Sequence, residues 1–158
     1  MSVETEPMTA PTPAATPITQ FYYRVGAHDL LLEPDALAEV LIHTTTSPLP
    51  FPPSWCKGLV AVRGEFYPLV DMHHILYGHA NASTQLKLLW LKPAHTSAIV
   101  VACDSYPKAL KFTNPIQPTQ QDTPLPSWIK GIVEHENQTF LVADHQSLIN
   151  KLMQATHS

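Results

Sequence analysis

Charge is scarce in this sequence: Asp, Glu, Lys and Arg make up 14% of its 158 residues, against about 25% in an average soluble domain. A thinly charged surface leaves apolar area in contact with water, which suits a protein that spends its time bound to others. Lys and Arg number nine and the formal net charge is −4. The nine cations are scattered between Arg24 and Lys151. A phosphate backbone calls for clustered cations, so nucleic acid is not an expected partner.

Cysteine is equally sparse. Cys56 and Cys103 are the only two and form no C-x-x-C pair, which argues against a disulfide framework and agrees with a reducing cytoplasm. Five glycines leave little scope for a phosphate-cradling loop. No dinucleotide fingerprint, G-x-S-x-G elbow or H-E-x-x-H is present, so neither a catalytic set nor a cofactor is expected. Long apolar runs are missing too. The run 98–103 has strand length, far short of the roughly 20 residues of a membrane helix. Glu4 and Glu6 stand where a signal peptide would need an apolar stretch. The expectation is a soluble cytoplasmic protein without direct membrane insertion.

Proline, by contrast, is abundant, at sixteen residues. Residues 1–19 are rich in Pro, Thr and Ala without periodicity, and are expected to be a disordered tail before a domain over 20–155. Beyond them, short apolar runs broken by Pro, Gly, Asn and Asp predict an all-β fold with a short C-terminal helix. Strands are expected at 21–25, 30–33, 39–43, 57–62, 66–71, 87–91, 98–102, 109–112, 130–134 and 139–143. The helix is expected at 144–153, with Asp144 as N-cap and Leu148, Ile149 and Leu152 as its apolar stripe.

An internal repeat organises these strands. Pro53-Ser54-Trp55-Cys56-Lys57-Gly58 returns as Pro126-Ser127-Trp128-Ile129-Lys130-Gly131, an offset of 73 residues with five of six identical. The offset continues without a gap to Asp71 over Asp144 and Ile75-Leu76 over Leu148-Ile149. Gly64 and Asn137, both tolerant of positive φ, fall at the same hairpin turn. A looser match at offset 69 sets Leu31-Leu32 over Val100-Val101 and Leu41 over Leu110. The chain therefore reads as a duplication, with units of roughly 20–80 and 85–150. A unit of about 60 residues is marginal alone, so paired five-stranded barrels packed on each other are predicted. The equivalence of Trp55 and Trp128 favours a structural role for both.

The stretch 58–72, GLVAVRGEFYPLVDM, resembles the signature of the CheW family, G-V-x-N-L-R-G-x-x-x-P-V-x-D-L. Leu37-Ala38-Glu39-Val40 resembles the family's upstream V-x-E-V/I element. The resemblance covers nearly everything after residue 20. It implies two SH3-like β-barrels and a non-enzymatic adaptor in a bacterial chemosensory pathway. Its implied partners are the regulatory domain of a CheA-type histidine kinase and the cytoplasmic tip of a chemoreceptor, with array assembly strengthening weak single contacts. The partner-binding residues it implies are Gly58, Arg63, Gly64, Leu37 and Glu39. Three departures stand out: Ala61 for the usual Asn, His73 for the usual Arg, and a degenerate second half. They leave room for a specialised paralogue, such as those of twitching-motility pathways.

Bland readings stand beside these. Arg63 at a hairpin tip either binds a partner or bonds loop carbonyls. Leu37 is either partner surface or core, and Leu37 and Glu39 are expected on opposite faces of their strand. Asp71, His73, His74 and His79 are suitable zinc ligands for a metal-dependent hydrolase. Their counterparts Gln146 and Ser147 instead favour solvated positions on a turn, and no metal is expected. Cys56 aligns with Ile129 and reads as a buried hydrophobe. A kinase-only scaffold or competitor without receptor contact keeps the fold as the alternative function.

Overall fold

The computed structural model describes residues 17–80, 86–113 and 125–155. Most of the tail expected at 1–19 lies outside them. Its inner end is corrected, because Ile18 and Thr19 already pair with Phe112 and Lys111. In chain order the elements are β1 (Ile18–Val25), β2 (His28–Leu31), β3 (Leu37–Leu41), β4 (Thr46–Ser47), β5 (Cys56–Val62), β6 (Glu65–Asp71) and α1 (Met72–Tyr77). They continue as β7 (Lys87–Lys92), β8 (Ile99–Cys103), β9 (Lys108–Phe112), β10 (Ile129–His135), β11 (Gln138–Ala143) and α2 (His145–Ala155). The fold is mostly β with a C-terminal helix, as the sequence predicts.

One sheet runs β10-β11-β2-β1-β9 and the other β3-β7-β8-β6-β5-β4. They hold five and six strands, and the described pairings close neither into a barrel. Each sheet also draws on both halves of the chain, so units 20–80 and 85–150 interlock rather than stand apart. The register confirms both repeat offsets. Leu69 pairs with Val100 in the parallel β6–β8 ladder, and Val142 with Leu31 in the parallel β11–β2 ladder. At the outer strands the match slips by one residue: Glu39 pairs with Trp90 and Lys108 with Tyr22, which sets β1 over β7 at an offset of 68.

The repeated P-S-W segment is a turn that launches a strand. Cys56 and Ile129 donate their amides to Pro53 and Pro126, each at 2.9 Å. Asp71 and Asp144 then donate to the Trp55 and Trp128 carbonyls at 2.8 and 2.6 Å. Both indoles are buried and packed in the main core, in keeping with a structural role. The following strands bulge at the same place, between Cys56 and Leu59 and between Ile129 and Gly131.

Each hairpin then turns on two residues of positive φ. These are Arg63 (49°) with Gly64 (83°), and Glu136 (51°) with Asn137 (64°), the signature of a type I′ turn.

Helix α1 corrects the reading of His73 and His74 as solvated positions on a turn. The Asp71 carboxylate accepts the His73 and His74 amides, and left-handed Gly78 (φ 80°) ends the helix. The repeat carried this signal, because Asp71 is the counterpart of the predicted N-cap Asp144. The main core lies where side chains of both sheets meet both helices, with Met72 and Ile149 wholly buried. Truncating such a residue to Ala costs about 2–5 kcal/mol.

Candidate functional site

Strand β3 ends its sheet and pairs only with β7. Its side chains are left largely in water, with Leu37 61% exposed. That settles Leu37 as surface. Leu37 and Glu39 are two residues apart and so share a face, a correction to the expected opposition, since side chains alternate along a strand with period two. Ala38 and Val40 take the other face.

Glu39 sits directly across from Trp90 on β7. The β5–β6 turn brings Arg63 to the same place, where Nη1 donates to Glu39 Oε1 at 2.5 Å. The guanidinium lies 5.4 Å from the Trp90 ring centroid, and Tyr67 meets that ring edge-on at 6.0 Å. Trp90 is buried, and its Nε1 has no hydrogen-bond partner among the described residues. Both charged side chains are about half exposed. An exposed ion pair is worth about 0–1 kcal/mol and an exposed cation–π contact about 0.5–1 kcal/mol. The arrangement orients Arg63 more than it stabilises the fold.

Two apolar features border this tip. Ile42 and Phe66 are strongly exposed, and Ile42 joins Glu39, Ala61 and Arg63 around a shallow depression. On the far side of β3, Ala38 and Val40 face Phe21, Leu32, Leu89 and Pro107 across a groove of about 260 Å³. The groove separates β1 of one sheet from β3 of the other. Sequence reasoning missed Phe21, Val40, Ile42, Phe66 and Trp90, because an apolar residue on a strand carries no local mark of exposure.

The two glycines of the motif differ. A Cβ on Gly64 would meet nothing within 4 Å, so only its φ is constrained. Gly58 is buried, and a Cβ there would lie 2.5 Å from the Ser47 carbonyl oxygen. Its place is the close contact with β4.

The carboxylate and histidines considered for metal are dispersed. Asp71 caps α1, His73 Nε2 lies 2.8 Å from Asp104 Oδ2, and His74 Nε2 lies 3.0 Å from Ser54 Oγ. His79 Nδ1 lies 3.4 Å from the Ala80 carbonyl oxygen, and its ring stacks on Tyr77. Among the described residues no three His, Cys, Asp or Glu side chains converge to hold a metal. Both cysteines are free and buried, and burial pushes the Cys103 thiol up to about 12, far from nucleophile chemistry. No described helix is long and apolar enough to cross a membrane.

The CheW-like domain model matches residues 21–153. The chain belongs to the CheW-like domain family. A solved structure similar to it is the scaffolding protein TtCheW from Thermoanaerobacter tengcongensis, at 16% identity and a TM-score of 0.66. That match covers 81% of this chain and 89% of TtCheW, and at this identity it shows the shared fold. No curated protein matches the chain. Membership of this family places the chain among the adaptor and scaffold modules of chemotaxis signal transduction.

Proposed function

We propose that this CheW-like domain couples chemoreceptors to a CheA-type histidine kinase in the bacterial cytoplasm, with no catalytic step of its own. The observation that carries the reading is the Arg63–Glu39 pair over Trp90, held at an exposed turn beside an apolar groove. A preoriented guanidinium offers charge-assisted hydrogen bonds to a partner, each worth about 1.5–3 kcal/mol. The groove between β1 and β3 suits the apolar face of a helix, as at the tip of a receptor hairpin. The Ile42–Phe66 side of the turn is the surface left for the kinase's regulatory domain. One strand, β3, thus serves both contacts, and signal passes as differential affinity between receptor states.

The test is co-sedimentation of the purified chain with its kinase and a receptor cytoplasmic fragment, separately and together. Binding to both, with kinase activity dependent on the chain, is the expected result. Binding to the kinase alone would instead assign a kinase-only scaffold, and binding to neither would remove the adaptor reading.

A further inference from the structure

Three residues at which the halves of the chain disagree lie together in the interior. By register, Tyr23, Glu33 and His145 answer to Leu91, Ala102 and Met72. The latter three are apolar and essentially unexposed. Their counterparts form a polar chain instead. Tyr23 Oη lies 2.7 Å from His145 Nε2, and His145 Nδ1 lies 2.6 Å from Glu33 Oε1. Glu33 Oε2 also accepts the amides of His145 at 2.9 Å and Gln146 at 3.3 Å.

Every polar atom in this chain is satisfied, which is the condition for burying it. Burial pushes the Tyr23 hydroxyl well above its ordinary value, so it stays protonated. Burial also pushes the Glu33 carboxyl up, but the hydrogen bond from His145, its field and the backbone bonds outweigh it, leaving Glu33 below its ordinary value. Glu33 therefore acts as a carboxylate cap on the first turn of α2, supplied from another part of the chain.

Glu33 is the one member of the trio that reaches solvent, and it does so on two sides. It borders an open cleft of about 320 Å³ with Asp35, Lys130, Asp144 and Gln146. It also lines the continuation of the partner groove, about 310 Å³, with Phe21, Leu32, Pro34 and Leu37. The residues that follow Glu33 are thus a wall of the groove, while its carboxylate is fixed to α2.

We propose that Tyr23, His145 and Glu33 form a positioning latch that ties the 33–37 wall of the groove to the first turn of α2. Occupancy of the groove and the seating of α2 are then coupled. The hydrogen bonds that make up the latch are geometric findings, while its use in signalling rests on the reading of the groove as the receptor site. The groups facing it are Cys103 from β8 towards Tyr23, Asp35 and Asp144 beside Glu33, and Lys130 across the cleft.

The experiment is amide hydrogen exchange on the full chain. The triple variant Tyr23→Leu/Glu33→Ala/His145→Met installs the apolar trio of the other half, so that none of the three side chains is left as a buried polar group without its partner. Exchange is expected to rise at 35–37 and at 145–147 together, by about tenfold or more for loss of a charge-assisted network. The outer sheet strands should not change. A rise at only one of the two segments, or at neither, overturns the latch. Should the triple variant fail to melt cooperatively, Glu33→Gln in the otherwise unaltered chain decides the same question by the same two outcomes. Adding a receptor-tip hairpin peptide to the parent should slow exchange at both segments. Slowing at 35–37 alone overturns the coupling. Failure of the peptide to bind removes the receptor reading, and the variants still decide the latch.

Discussion

Lys57 Nζ lies 3.8 Å from Asp71 Oδ2, tying the start of β5 to the carboxylate that caps α1. Seventy-three residues later Lys130 Nζ lies 3.3 Å from Asp144 Oδ2, the carboxylate that bonds the Ser147 amide in the first turn of α2. The spacing from P-S-W-x-K-G to a following Asp is thus the length of one hairpin whose two ends are clasped. The turn, the bulge and the helix start repeat with it.

The tip predicts a separation of binding from folding. Arg63→Asp removes an exposed pair and a cation–π contact and sets two carboxylates beside each other, so melting should shift by no more than about 2 kcal/mol of stability. Kinase or receptor affinity should fall at least about tenfold, because a charge-assisted bond of about 1.5–3 kcal/mol is lost. Parallel melting and pull-down measurements check both halves, and normal binding by a folded variant would sink the assignment.

The two motif glycines should separate by mechanism. Gly58→Ala drives a methyl group into the Ser47 backbone and should cost about 1–3 kcal/mol in denaturant unfolding, as overpacking does. Gly64→Val should cost about 1–3 kcal/mol for a strained φ. Gly64→Asn, which copies Asn137 of the other hairpin, should cost far less. Equal costs for Val and Asn at that position would contradict the turn geometry.

Two carboxylates set the acid response. Glu33 and Asp144 both sit below their ordinary values; burial opposes the shift, and it is outweighed by His145 in one case and by Ser147 and Lys130 in the other. A depressed folded value means the stabilisation is complete above the ordinary carboxylate range and is lost as pH falls through the folded values. Melting temperature should therefore drop on acidification below about pH 4–5. Glu33→Gln should flatten that slope, and an unchanged slope would exclude Glu33 as a contributor.

The thiols should be silent. A disulfide-exchange reagent at pH 8 should label neither Cys56 nor Cys103 at an appreciable rate until denaturant is added, since both are buried and Cys103 titrates at about 12. Rapid labelling of the native chain would contradict the packing.

Most of the fold was legible because strand and turn signals are local. Short apolar runs repeated at the offset of 73 residues marked β5, β6, β10 and β11, and the paired Gly64 and Asn137 marked their turns. The exchange of strands between halves was not, because pairing between β2 and β11 depends on partners more than 100 residues apart in sequence. Helix α1 was obscured by two adjacent histidines, which read as solvent-facing although Asp71 announces the cap. At the site, the motif found Arg63 and Glu39 but not that they meet. Their contact depends on the register that sets Glu39 opposite Trp90. The buried trio had no local signature at all, since a lone His, Tyr and Glu acquire their meaning only through packing.

The interlocked sheets bear on how such a chain arises and how it can be divided. A single ancestral unit would carry β1, β2 and the equivalents of β3, β5 and β6, but the strands that flank β1 and β2 here are β9, β10 and β11 of the other half, which would have to come from a second molecule. An ancestral homodimer that traded hairpins, later joined into one gene, accounts for the present order of strands. The same logic makes the chain a natural split reporter. Fragments ending at residue 80 and beginning at residue 86 each hold only part of both sheets, so neither should fold alone and the pair should regain structure only on mixing.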